Sequence, residues 1–429
     1  VAACGRPGVH RGPNVVIIVM DTTRADRCSV NGYERETTPT LRKLTKEGVA
    51  FVNAWSPAGW TGPAHASLFT GLRPERHGFL RGVRDYLDGS AVTLAERLKD
   101  AGYRTGCFSN NETVAVEFGL GQGFDTFSPL FEDTDRPYPW CRATHEEALD
   151  FALEAHRDGR PFFVFVNDME PHIPYSPPQE TAPAFLPAGF PADALDAARS
   201  LNFGILFGHN SRARPLGPDI IAAASGLYDA EIACLDAGIG RFVEDLRGHG
   251  LFDDTLLIVT ADHGENLGDH GLMDHMFSIH RSIRHVPLVI RYPPAFPSGA
   301  IVGDVVRLED IAPTVLDVLG IEPLADIDGL TLRGDVAGRL SFGAVNAPNQ
   351  LLDRLAKEYP LPYYDRELRR NIRAVTDGRY HYIRDSEGRE EFYNLVDDPE
   401  ERWNLASRPG PELERMRALF ESGRIGAGK

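Results

Sequence analysis

Four short apolar runs, at 15–20, 162–166, 256–260 and 286–290, constrain the fold of this chain more than any other feature. Each is continuous rather than alternating and rich in β-branched or aromatic residues, so each reads as a strand buried on both faces. Between them lie stretches with helical periodicity, at 39–47, 94–101, 145–155 and 222–246. That alternation predicts an α/β fold in which a large, mainly parallel mixed sheet is sandwiched by helices.

Three of the runs are followed at once by polar residues. Asp21 follows the first, Asn167-Asp168 and then His172 the second, and Asp262-His263 the third. In open α/β sheets the ligand site lies beyond the carboxyl ends of the strands, so these distant pieces are expected to meet. Asp21, Asp262 and His263 together suit a divalent cation, whereas either aspartate alone would read as a cap or turn former.

A further segment, 60–71, reads as a short helix with Thr61 as its N-cap, Pro63 in its first turn and Gly71 as its stop. A helix amino terminus offers unpaired N–H groups and the positive end of a dipole, which suits an anion. Thr61 is therefore the expected nucleophile. A threonine hydroxyl gives up its proton most readily beside a metal ion, so Thr61 is placed with Asp21, Asp262 and His263 around one ion.

Composition narrows the partners. The chain has 429 residues, 42% of them hydrophobic, which is enough for a large core and excludes a disordered chain. A net charge of −17 argues against nucleic acid as a partner and requires any anionic substrate to meet a focused positive centre. The apolar runs are far shorter than the roughly 20 residues a membrane-spanning helix needs. Cys4, Cys28, Cys107, Cys141 and Cys234 show no C-x-x-C spacing, so most are expected to be buried free thiols. Val1-Ala2-Ala3-Cys4-Gly5 looks like the end of a bacterial lipoprotein signal. That predicts a lipid anchor at Cys4 and an extracytoplasmic location, the alternative being a leader without structure.

The Pro- and Gly-rich stretches 171–191 and 203–218 read as surface insertions that wall a substrate site or merely pad the surface. After an amphipathic helix at 310–320 the chain is expected to be loop-rich. A hairpin follows at 373–384 and 390–395, and then a terminal helix at 411–420. The expected division is a leader or linker at 1–13, a catalytic domain at 14–340 and a smaller α+β subdomain with an antiparallel sheet at 341–429.

Taken together, the motifs resemble the sulfatases of the alkaline phosphatase superfamily. The resemblance rests on the segment 14–26 with Asp21, the Thr61–Gly71 segment with Arg73-Pro-Glu-Arg-His-Gly78, and Pro171-His172-Ile-Pro-Tyr175. It continues through Thr260-Ala-Asp-His-Gly-Glu-Asn-Leu-Gly-Asp-His-Gly271, Val286-Pro-Leu-Val-Ile290, 310–320 and 392–405, nearly the whole chain in order. It implies an alkaline phosphatase-like fold, a metal-dependent ester hydrolase and an anionic ester substrate.

Departures fall on the site itself. Sulfatases carry a cysteine or serine where this chain has Thr61, within a motif whose arginine is replaced here by His65, so the formylglycine route is closed. Threonine members of the superfamily include phosphodiesterases and phosphoglycerol transferases that form a phosphoryl-threonine intermediate. The resemblance thus implies phosphoester cleavage more than sulfate-ester cleavage by unmodified threonine. Thr22 replaces one of the family's paired aspartates, and His263 adds nitrogen, which favours Mn²⁺ or Zn²⁺ over Ca²⁺. His172 and His275 match substrate-contacting positions and are candidates to protonate the departing oxygen, with His65 in a supporting substrate-binding place. Asp168, His172 and His275 also carry the spacing of a second metal site in two-zinc relatives. A non-catalytic binding protein that kept the fold is the remaining alternative, and the retained Asp21, Asp262 and His263 argue against it.

Overall fold

Seven buried residues, Asn14–Met20, form the middle strand of the computed structural model, which describes residues 12–81, 85–132, 141–359 and 366–423. Thr255–Thr260 and Phe162–Asp168 flank it in parallel, with Val19 opposite Thr260 and Met20 opposite Asp168. The carboxyl ends of the three strands are therefore level. Beyond them lie Arg104–Ser109 and Thr126–Pro129 on one side, and Leu288–Arg291, Val49–Phe51 and Ala300–Val302 on the other, completing an eight-stranded sheet.

Within that sheet Leu288–Arg291 runs against its neighbours. The apolar run at 286–290 reads as one strand in sequence, but Pro287 divides it, because a residue without an N–H cannot continue the ladder. His285–Val286 pairs instead with Ala54–Trp55 in a small separate sheet. The Thr260 hydroxyl donates to the Pro287 carbonyl at 2.8 Å and secures the break.

Helices cover the large sheet. Cys141–Arg157 packs on Phe162–Asp168, and Pro218–Gly248 packs in turn on Cys141–Arg157. The strand Arg104–Ser109 escapes an apolar-run reading because it mixes Arg, Thr and Gly with Cys and Phe. Gly106 lets the strand pass close beneath Phe151, since a Cβ would stand 3.0 Å from that ring.

Two stretches expected to be irregular are ordered. The insertion at 203–218 contains the helix Phe203–Asn210, and the stretch after 320 contains the strand Ser341–Val345 and the helix Asn349–Glu358. That strand joins Ile372–Thr376, Tyr380–Asp385 and Glu390–Asn394 in the expected antiparallel sheet. Its outer face packs on the terminal helix Pro411–Ser422 through Val375, Tyr382, Phe392, Leu413, Met416 and Phe420.

A buried polar seam ties residues 280–284 to the antiparallel sheet. Arg284 is fully buried; its Nε donates to the Ser56 carbonyl at 2.9 Å and its Nη2 to the Ser341 hydroxyl at 2.7 Å. A side chain at Gly343 would stand 2.4 Å from that Nε. Nearby, His280 Nε2 lies 2.8 Å from Glu391, and the Arg281 N–H donates to Glu401 at 2.6 Å. Cys28, Cys107 and Cys141 are buried free thiols, and Cys234 is half-buried. No helix among the described residues is long and apolar enough to cross a membrane. Cys4 and its proposed anchor lie outside the described residues.

The seam predicts acid lability. Burial alone would raise the Glu391 pKa, but the hydrogen bond and charge of His280 reverse the shift and hold it at about 2, below its ordinary 4.5. Its stabilisation is complete above about 4.5 and is lost as pH falls toward 2. The urea midpoint should therefore fall through that window, and Glu391→Gln should flatten the fall while lowering the midpoint at neutral pH.

Candidate active site

Asp21 and Asp262 stand at the carboxyl ends of adjacent strands, and each has one oxygen committed to the protein. Asp21 Oδ2 accepts from Asn111 Nδ2 at 2.6 Å and Asn167 Nδ2 at 3.4 Å. Asp262 Oδ1 accepts from the Thr22 N–H at 3.1 Å and the His263 N–H at 2.8 Å. The other two oxygens, Asp21 Oδ1 and Asp262 Oδ2, are buried without a hydrogen-bond partner.

His263 completes the cluster. Its Nδ1 lies 2.9 Å from the Gly264 carbonyl and so must carry the proton, which leaves a lone pair on Nε2. That nitrogen is 3.3 Å from Asp262 Oδ2. One ligand atom from each of Asp21, Asp262 and His263 lies within 4.8 Å of the others. Burial, and then repulsion from Asp262, pushes the Asp21 pKa up. Burial, and then the charge of His275, pushes the His263 pKa well below its ordinary value. Three converging lone pairs with no proton between them fit a divalent cation.

Thr22 holds this geometry in place of a second aspartate. Its φ of 51° is a left-handed conformation that β-branched residues avoid. Two contacts fix it: Asp262 accepts its N–H, and the Tyr228 hydroxyl donates to its carbonyl at 2.6 Å.

Thr61 lies beside the cluster, with Oγ1 3.3 Å from His263 Nε2. It is the first residue of the helix Thr61–Thr70, and Trp60 is the N-cap that sequence pattern assigns to Thr61. The shift changes its role, because a capping hydroxyl folds back on the helix whereas this one faces His263. Gly62 is obligatory, since a Cβ would meet the Phe79 ring at 2.3 Å. His65, one helical turn on, is fully buried behind Thr61. Its Nδ1 donates to the Thr61 carbonyl at 2.8 Å, and its Nε2 meets the Asn167 amide at 3.4 Å. His65 thus braces Thr61 and does not line the cavity in front of it.

His172 and His275 face that cavity, with ring centroids 5.4 Å apart. His172 Nδ1 donates to the Ile173 carbonyl at 2.7 Å, which leaves Nε2 toward the open side. His275 Nδ1 lies 3.0 Å from Asp274 and 3.4 Å from Glu265. Burial opposes a charge on His275, but these two carboxylates reverse the effect and raise its pKa to about 9.

Asp168 does not join them. Its oxygens are taken by the Thr144 hydroxyl and by His145 Nε2, the latter at 2.9 Å. Both partners come from the helix Cys141–Arg157, which docks beneath the strand end and turns Asp168 away from the cavity. Among the described residues the second group able to gather around an ion is Glu265, Asp274 and His275. There the charged imidazole itself supplies the positive centre.

Sequence pattern does not single out Asn111, Glu265 or Asp274. Asn111 follows the unrecognised strand Arg104–Ser109, so its place at a strand end carries no visible signal. Glu265 stands two residues beyond His263, where a strand-end count would have reached it.

The cavity in front of Thr61 holds about 600 Å³ and is lined by Trp60, Asn111, Met169, His172 and His275 among others. Residues 13–321 match the family described as Sulfatase, and residues 268–418 the N-sulphoglucosamine sulphohydrolase C-terminal region. An ulvan-active sulfatase of Formosa agariphila is 27% identical over 92% of this chain and 78% of its own length. The multifunctional alkaline phosphatase superfamily protein PehA of Trinickia caryophylli is 28% identical over 92% and 91%. A phosphonate monoester hydrolase of Agrobacterium radiobacter superposes with a TM-score of 0.75 at 23% identity, over 96% of this chain and 94% of that one.

A converging pair of buried carboxylates has a distinctive stability signature. Asp21→Asn removes repulsion in the metal-free protein, so its melting midpoint should rise by a few degrees. The further rise that Mn²⁺ or Zn²⁺ gives the parent protein should be lost in the same variant. Thermal melts with and without chelator check both signs.

Proposed function

This chain belongs to the sulfatase family, an ester hydrolase group of the alkaline phosphatase superfamily, and we propose that it cleaves a phosphoester through a phosphoryl-threonine intermediate on Thr61. The observation that carries this reading is the position of Thr61 Oγ1. It stands at the head of a helix, beside His263 Nε2 and at the floor of the cavity. A family relative named for multifunctional superfamily activity and a fold neighbour named for phosphonate monoesters support phosphorus chemistry.

Asp21, Thr61, Asp262 and His263 would hold the cation, which when bound lowers the pKa of a hydroxyl beside it and neutralises charge on a phosphoryl oxygen. His65 fixes the carbonyl of Thr61 and so orients its hydroxyl. The free N–H groups of the helix amino terminus face the phosphoryl oxygens. Thr61 releases its hydroxyl proton to solvent in the cavity, and Oγ1 attacks phosphorus as the bond to the alcohol oxygen breaks in line with it. The departing oxygen takes a proton from His275, held charged by Asp274 and Glu265, with His172 Nε2 opposite. Water then attacks the phosphoryl-threonine; His275, now neutral, accepts its proton, and the Thr61 oxygen leaves and recovers its own.

Thr61→Ala should retain bound metal and lose kcat/KM on bis-nitrophenyl phosphate by at least about a thousandfold. Thr61→Ser should keep measurable turnover. Parallel rates on nitrophenyl sulfate, nitrophenyl phosphate and the diester decide the reacting group, and a dominant sulfate rate overturns the phosphoester reading.

A further inference from the structure

The cavity at Thr61 has two chemically different ends, and we infer that its outer end receives an uncharged, apolar, ring-sized alcohol portion of the substrate. This inference rests on the reading of Thr61 as the anion end. The lining brings Thr61, Gly62, His172 and His275 together with Phe131, Met169, Phe203, Met276, Leu355 and Tyr359, of which Phe203 is exposed. A volume of about 600 Å³ far exceeds what a phosphoryl or sulfuryl group fills, and lies in the range of pockets that enclose whole small molecules.

Two elements invisible to sequence pattern build these walls. Asn202 caps the helix Phe203–Asn210, its Oδ1 accepting from the Gly204 N–H at 3.1 Å and the Ile205 N–H at 3.2 Å. That cap fixes Phe203 at the rim, where the residue is 47% exposed. Gly204 lets the helix approach closely, because a Cβ would stand 2.6 Å from the Tyr359 ring. Across the gap, Leu351 and Leu355 lie one turn apart on the helix Asn349–Glu358, both turned into the cavity lining.

Charge points the same way. Apart from the two histidines, the ionisable side chains of the lining are Glu112, Arg354, Glu358 and Tyr359. A sugar bearing further carboxylates or sulfates would bring more negative charge against two glutamates with one arginine. Asn111 is already committed, its amide to Asp21 and its carbonyl oxygen to Thr113, so it is poorly placed to pair with sugar hydroxyls. An apolar ring instead covers Phe203 and loses its own water, a gain of about tenfold or more in affinity.

Calorimetric titration of the metal-loaded full chain with methylphosphonate, benzylphosphonate and glucose 6-phosphate separates these cases without relying on turnover. Benzylphosphonate should bind at least about tenfold more tightly than methylphosphonate, and glucose 6-phosphate no more tightly than methylphosphonate. Phe203→Ala, at an exposed position that does not threaten folding, should shrink the benzyl-to-methyl ratio at least threefold, or about 0.6 kcal/mol. Equal binding of benzyl and methyl ligands, tighter binding of glucose 6-phosphate, or an unchanged ratio in Phe203→Ala overturns this inference alone. Failure of all three anions to bind overturns the reading of the Thr61 end with it.

Discussion

Two carboxylates, Asp21 and Asp262, are forced together at the level ends of neighbouring strands, each with an oxygen that no protein group satisfies. Burying one unpaired charge costs several kcal/mol, and two near each other cost more. The fold cannot relieve this by moving them apart, because strand register fixes Val19 against Thr260 and hence the turns that follow. A cation is the remedy, and much of the surrounding structure makes room for one. The Asn111 and Asn167 amides, the strained Thr22 backbone and the Gly264 carbonyl each orient a ligand without filling the space between.

Thr61 gains its meaning from that constraint. A threonine at the start of a helix is ordinary, but here the helix aims its hydroxyl at the lone pair of His263 and its amino terminus at the mouth of the cavity. His65 ties helix and sheet together from behind, linking Thr61, Asn167 and Asp262. His275 carries positive charge to the opposite wall. Anion recognition in a chain with a net charge of −17 is thus concentrated in one place.

Sequence pattern makes the central sheet and the first metal cluster legible for one reason. Buried parallel strands read as continuous apolar runs, and Asp21, Asp262 and His263 directly follow such runs. Asp168 follows one too, yet its side chain is claimed by Thr144 and His145 from a helix docked beneath the sheet. Only tertiary packing decides between those outcomes. Asn111 is hidden because Arg104–Ser109 has a mixed composition, with small and polar residues that fit under Phe151. The cavity walls at Phe203 and Leu355 are hidden because short helices within Gly- and Pro-rich surroundings carry little periodic signal. The resemblance in sequence therefore reaches the reacting centre and stops short of the substrate's alcohol portion.

The central claim is that Thr61 becomes covalently bonded to the transferred group. Metal-loaded protein turning over a phosphodiester can be quenched in neutral denaturant, digested and mapped by mass spectrometry. The account predicts a phosphoryl group on the peptide containing Thr61, located on that residue by fragmentation. Unmodified Thr61 throughout turnover, or a phosphoryl group on a histidine instead, would contradict it.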